Sequence, residues 1–157
     1  MRVPSSRLRA RVVGVSSTVL VVVLTAAGVA LAANQVKGAT YSGKINANGG
    51  LAISFKVTSD GKDVVKMKVP QPPLFCSGGG PPPPQKPAKP APISTAGTFT
   101  DTLQYVATVG PKKGSVIATL KVTGTFHAHK KESGKATVTW KGSPSCSGTA
   151  PYSTTVH

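Results

Sequence analysis

The sequence predicts an all-β protein, a single antiparallel β-sandwich of about seven to eight strands. Three observations carry this expectation. Apolar and polar residues alternate with period two over several segments, as half-buried strands require. Gly, Pro and Asp-Gly punctuate those segments at short intervals. Capped apolar stripes at helical spacing are nearly absent after residue 32. The domain is expected to occupy 33–157. A Pro/Gly-rich loop at 70–92 interrupts it, and the only helix expected is in the leader, 1–32.

The leader is read from its flanks. Arg2, Arg7, Arg9 and Arg11 form a cationic start that contains no acid. Val12 to Ala30 is largely apolar, and Ala30-Leu31-Ala32 is an A-x-A cleavage pattern. Together these read as a secretory signal peptide. The alternative is an uncleaved membrane anchor, because the apolar run is just long enough to span a bilayer at about 1.5 Å per residue. Gly14, Ser16, Ser17 and Thr18 dilute the run and favour cleavage. The expected product is a secreted monomer, free or associated with the cell envelope, that meets the membrane only during export.

The strands follow in order. Tyr41 to Ile45 is the first. Ile53, Phe55 and Val57 alternate with Ser54, Lys56 and Thr58, and Val65, Met67 and Val69 with Lys66 and Lys68. Asp60-Gly61 between them makes a hairpin. An odd-length connection would pair Val57 with Val65 and Phe55 with Met67. A two-residue turn would set Phe55 against Lys66 and put charge on the core face. The odd register, with Gly61 or a bulge absorbing the extra residue, is therefore expected.

Residues 70–92 hold 10 of the 14 prolines, including Pro81 to Pro84, and Gly78 to Gly80. Proline donates nothing to a strand ladder, so the segment is expected to be an extended polyproline-like excursion. Strands resume at Gly97-Thr98-Phe99 and at Leu103 to Val109. The clearest run puts Val116, Ala118, Leu120, Val122, Gly124, Phe126 and Ala128 on one face. A loop over Lys130 to Gly134 leads to Ala136, Val138 and Trp140. Facing His129 with Lys135 sets Trp140 over Gly124, a familiar way to cover a strand glycine. Tyr152 to Val156 ends the set.

Charge sharpens once the leader is set aside. The chain carries a formal +15 over 157 residues, but all four arginines lie in the leader. Fifteen lysines then face only Asp60, Asp63, Asp101 and Glu132, a balance of +11. Cys76 and Cys146 are the only cysteines. In an oxidising compartment an even pair implies a disulfide. The bridge would close a loop of about 70 residues, for which loop entropy gives about 4 kcal/mol.

Taken together, these motifs resemble a known group. They are Tyr41-Ser42-Gly43, Ile53 to Val57 with Asp60-Gly61-Lys62, and a first Cys. Gly97-Thr98-Phe99, Val122 to Phe126, Ser133-Gly134 and Cys146-Ser147-Gly148 follow. The order resembles short, uncharacterised secreted β-sandwich-like proteins of high-GC Gram-positive bacteria, over most of 39–153. The resemblance implies a secreted β domain and carries over no catalytic residue. The Pro-rich insertion departs from the group, as does Tyr152, where a Trp is more usual.

Candidate chemistry is sparse. His127 and His129, read as strand neighbours, point the same way about 7 Å apart. They are the weak candidates for a metal site or a hydrolase, but a zinc site wants three or four ligands. Lys130, Lys131 and Lys135 would also repel a dication. Glycoside hydrolysis needs two facing acids. Here Asp60 and Asp63 flank a turn, Asp101 follows Phe99 near a strand end, and Glu132 falls in a loop. No G-x-S-x-G or phosphate-loop pattern occurs. No enzyme activity, metal or cofactor is expected. Beyond the leader, no arginine is available for bidentate contacts to nucleic acid. The favoured partner is an anionic cell-wall polymer or glycan, contacted by Lys66, Lys68, Lys86, Lys89, Lys130 and Lys131.

Overall fold

The computed structural model describes residues 34–73, 83–141 and 145–157. The leader and Cys76 lie outside the described residues. Eight strands form: β1 (Thr40–Ile45), β2 (Leu51–Val57), β3 (Asp63–Lys68), β4 (Ala91–Pro92), β5 (Thr98–Val106), β6 (Val116–His127), β7 (Lys131–Trp140) and β8 (Cys146–Val156). All are antiparallel in one sheet of order β4-β3-β2-β1-β8-β7-β6-β5.

This corrects the expectation of two stacked sheets. β1 pairs along one edge with β2 and along the other with β8, so the chain's ends join the sheet to itself. The two end strands, β4 and β5, come into contact and the sheet is nearly closed. One interior serves all strands. Tight coiling requires bare backbone at Gly43 and Gly134: a Cβ on Gly43 would strike the Ser153 carbonyl, and one on Gly134 the Thr123 carbonyl.

Inward residues follow the alternation. In β6, Ala118, Leu120, Val122 and Phe126 are buried, while Ala128 falls beyond the strand and is exposed. At the centre, Tyr41 stacks on Phe55 with centroids 5.2 Å apart. Phe126 meets Tyr41 edge-on at 5.3 Å, and Phe99 meets Phe55 edge-on at 5.4 Å. These are favourable ring geometries, worth about 1 kcal/mol per pair beyond area burial.

Two hairpins differ from the sequence reading. In β2–β3, Val57 faces Val64 and Lys56 faces Val65, the register of a two-residue turn. The register then shifts, so that Ser54 faces Lys68 as the odd-length connection requires. The extra residue is absorbed by a bulge in β3, not at Gly61. Lys66 sits there with φ 54°. Val64, Met67 and Val69 are therefore buried, while Val65 and Lys66 both turn outward.

In β6–β7, His127 faces Lys131 and Gly124 faces Gly134. The expected alignment lies six residues away in register, with Gly124 opposite Trp140. An even slip keeps every side chain on its face, so hydrophobic alternation cannot separate the two. Phe99, not Trp140, covers Gly124. It is Gly124's register partner in β5, and a Cβ there would lie 2.5 Å from its Cε1. Trp140 instead faces Ala118 and Cys146.

The tighter turn brings Glu132 into a strand, and β5 runs well past Phe99 and so encloses Asp101. Glu132 is the second residue of β7 and Asp101 lies mid-β5, and both point inward and are buried.

Candidate functional site

The described part of the Pro-rich segment is no free excursion. Residues 83–92 run along the open side of the sheet and bond to both ends. Ala91 and Pro92 pair with Val64 and Asp63 of β3. At the other end, Lys86 N donates to Gln104 O at 2.7 Å and Val106 N to Pro84 O at 3.2 Å, both in β5. The segment acts as a closing stave.

Its composition keeps the closure incomplete. Pro87, Pro90 and Pro92 have no N–H to offer β3. Past the bulge, β3 faces an edge that cannot continue the ladder. Gln85 supplies the missing peptide group. Its side-chain Nε2 donates to Met67 O at 2.7 Å, and its Oε1 accepts from Val69 N at 2.9 Å. Its backbone bridges to Tyr105, and the buried Tyr105 hydroxyl donates to Val69 O at 2.9 Å. One amide side chain and one phenol thus do the work of a strand edge.

The gap left over is a groove of about 630 Å³ between β3 and the stave. Val65, Met67, Pro70 and Pro87 give it an apolar floor, and Lys66, Lys68 and Lys86 line it. Three of the six candidate lysines therefore converge. Lys89 is exposed on the same stave but does not line the groove, and Lys130 and Lys131 lie at the β6–β7 turn.

The other candidates disperse. β6 ends at His127, whose Nε2 lies 2.8 Å from Ser133 Oγ. His129 belongs to the turn, with φ 63°, so the pair does not share a strand face as expected. No group of three or more His, Cys, Asp or Glu that could hold a metal occurs among the described residues. Cys146 opens β8 opposite Trp140, and no cysteine among the described residues is free.

The acids are the less expected finding. Glu132 accepts from the Tyr152 hydroxyl at 2.6 Å and from Thr154 Oγ1 at 2.7 Å. Burial pushes its pKa up to about 7, against the pull of those two hydrogen bonds. Its carboxylate fills the space beside Gly124, where a Cβ would collide with Oε1. Burial also raises Asp101, which keeps one bond, from Thr102 N at 2.6 Å. Its Oδ2 has no hydrogen-bond partner among the described residues. With two of the four acids turned inward, only Asp60 and Asp63 remain to offset the surface lysines, and neither lines the groove.

No known family model, curated protein or solved structure matches this chain.

Sequence reasoning missed Gln85, Val65 and Pro70. A signal existed for Gln85. Between Pro81 and Pro92 it is the only residue whose side chain both donates and accepts, as closing an edge past prolines requires.

Proposed function

We propose that the protein is an exported, non-enzymatic binding protein that takes an anionic cell-envelope or extracellular polymer in the groove between β3 and the stave. The observation that carries this reading is the convergence of Lys66, Lys68 and Lys86 on one groove that contains no acid. Apolar walls strengthen it, because low-dielectric surroundings focus the field of nearby charges. The export half rests on the leader pattern, and a Cys76–Cys146 disulfide fits that destination. Non-specific charge is an adequate attraction for a polymer, and a polymer supplies many anionic groups to a few lysines.

The test is salt-dependent binding to isolated cell wall and to purified polyanions. Wild type should bind at low salt and release as ionic strength shortens the Debye length from about 30 to 8 Å. The Lys66→Gln, Lys68→Gln, Lys86→Gln triple variant should bind severalfold more weakly. Absence of binding at every salt concentration sinks the reading, as does a triple variant that binds like wild type. Intact mass of the exported protein checks the leader, with a start at Ala33 expected.

A further inference from the structure

A second depression, of about 530 Å³, lies on the outer face of β2, β1 and β8. It shares Lys68 and Pro70 with the first groove, so the two are contiguous. Register explains its chemistry. Lys68 faces Ser54, Ser54 faces Ser42, Ser42 faces Thr155, and Thr155 faces Lys131. A row of hydroxyls thus crosses three strands between two lysines. At about 4.8 Å per strand, those lysines are about 19 Å apart along the sheet. Lys44 lines the same depression, two positions along β1 from the row's Ser42 and on the same face, with the opposite-facing Gly43 between them. Among the described residues, neither depression is lined by Asp, Glu, Phe, Trp or Tyr, and His157 lines the second.

We infer that the two grooves form one track, running from Lys86 across β3, β2, β1 and β8 toward Lys131, for a linear polyanion whose repeat also carries hydroxyl groups. This rests on the polymer reading above and gives it a ligand class and a length. The lysines attract the anionic groups. Ser54, Ser42 and Thr155 can each donate and accept, which matches ligand hydroxyls and is unused by a polymer that has none. A nucleic acid fits less well, because single strands bind through base stacking on aromatic platforms. Here Tyr41, Phe55, Phe99, Tyr105, Phe126 and Tyr152 are all buried in the interior.

The experiment compares affinities of the purified protein for poly(glycerol phosphate), polygalacturonate, polyphosphate and single-stranded DNA of matched charge and length. Short oligomers of each hydroxyl-bearing chain are included. The two hydroxyl-bearing polymers differ in their anion, so their ranking tells phosphate from carboxylate. Expected are a preference for one of these two over polyphosphate and DNA, and affinity that rises with length until the track is filled. The Lys44→Gln, Lys131→Gln variant lies wholly beyond the first groove. It should weaken long chains about fivefold, the size two exposed ion pairs carry, and leave short ones unchanged. The Ser42→Ala, Ser54→Ala variant should erase the preference over polyphosphate. If short and long chains bind alike and only the groove lysines matter, the track is overturned while the groove stands. If polyphosphate or DNA binds equally well, the hydroxyl-bearing class is overturned. If no polyanion binds, both readings fall.

Discussion

The two sides of this sheet are built by different means. From β5 to β8 the chain pairs over nine or ten positions per hairpin, with a single register shift at Tyr105–Val106. From β3 to the stave only two register pairs exist, and Gln85 and Tyr105 close the rest with side chains. The first side turns alternation into a near-continuous ladder. The second meets prolines, cannot complete a ladder, and keeps a groove. The groove therefore exists because one strand edge is satisfied by side chains.

Breaking the tight side should cost most. Gly124→Ala would push a methyl into the buried Glu132 carboxylate and the buried Phe99 ring, both of which would have to shift. We expect a loss of about 3 kcal/mol or more, enough to abolish a cooperative transition in a marginally stable domain. Urea unfolding checks it. A variant as stable as wild type would show that the interior is looser than its contacts imply.

A pH series probes the same side. Glu132 has a folded pKa near 7, above its ordinary 4.5, so the folded state binds this proton more tightly than the unfolded chain does. Stability is then fullest below about pH 4.5 for this group and falls as pH rises through 7. Asp101, also raised, acts in the same direction. The Glu132 contribution is about 3 kcal/mol between those limits. Melting temperature should drop from pH 5 to pH 8 in wild type, and much less in Glu132→Gln, which keeps an acceptor for Tyr152 and Thr154. Equal slopes for the two proteins would remove Glu132 as the cause.

The loose side should yield less. Gln85→Leu removes both bonds to β3 and leaves Met67 O and Val69 N without their partners. Tyr105→Phe removes a third. Each should cost about 1–3 kcal/mol. Amide exchange should report where. Val69, Lys86 and Val106 should exchange faster, while β6 and β7 keep their protection. Uniform acceleration across the sheet would mean that the seam is not a separate unit.

What the sequence disclosed follows the same division. Strand identity from β5 to β8 was legible because alternation reports the face of each residue. Register was not, because an even slip between β6 and β7 preserves every face. That hid Glu132, which looked like a loop residue until the turn tightened. The lysines of β3 were legible as surface residues. Their meeting with Lys86 was not, because it depends on a bulge and on one glutamine docking across the seam. Neither leaves a periodic trace.

The smallest expected effect bears directly on whether the groove is more than a by-product of prolines. Lys66 holds φ 54°, a conformation that glycine adopts freely and a lysine only at a cost. His129 and Lys130, at the β6–β7 turn, share this strain with φ 63° and 61°. Among the described residues, three of the four non-glycine residues in the left-handed region are thus basic and exposed, where Gly or Asn would relieve the backbone. If the bulge needed only the backbone shape, glycine would serve better at 66. Lys66→Gly should therefore raise stability by about 0.5–1 kcal/mol, with glycine's greater unfolded-state freedom offsetting part of the relief. The same change removes a groove cation and should weaken polyanion binding. Urea midpoints and binding isotherms on one protein sample read both. A gain in stability with a loss of binding means that the strain is held for the side chain. A loss of stability means that the lysine's own stem packs in the groove wall, and strain is then no argument for a site.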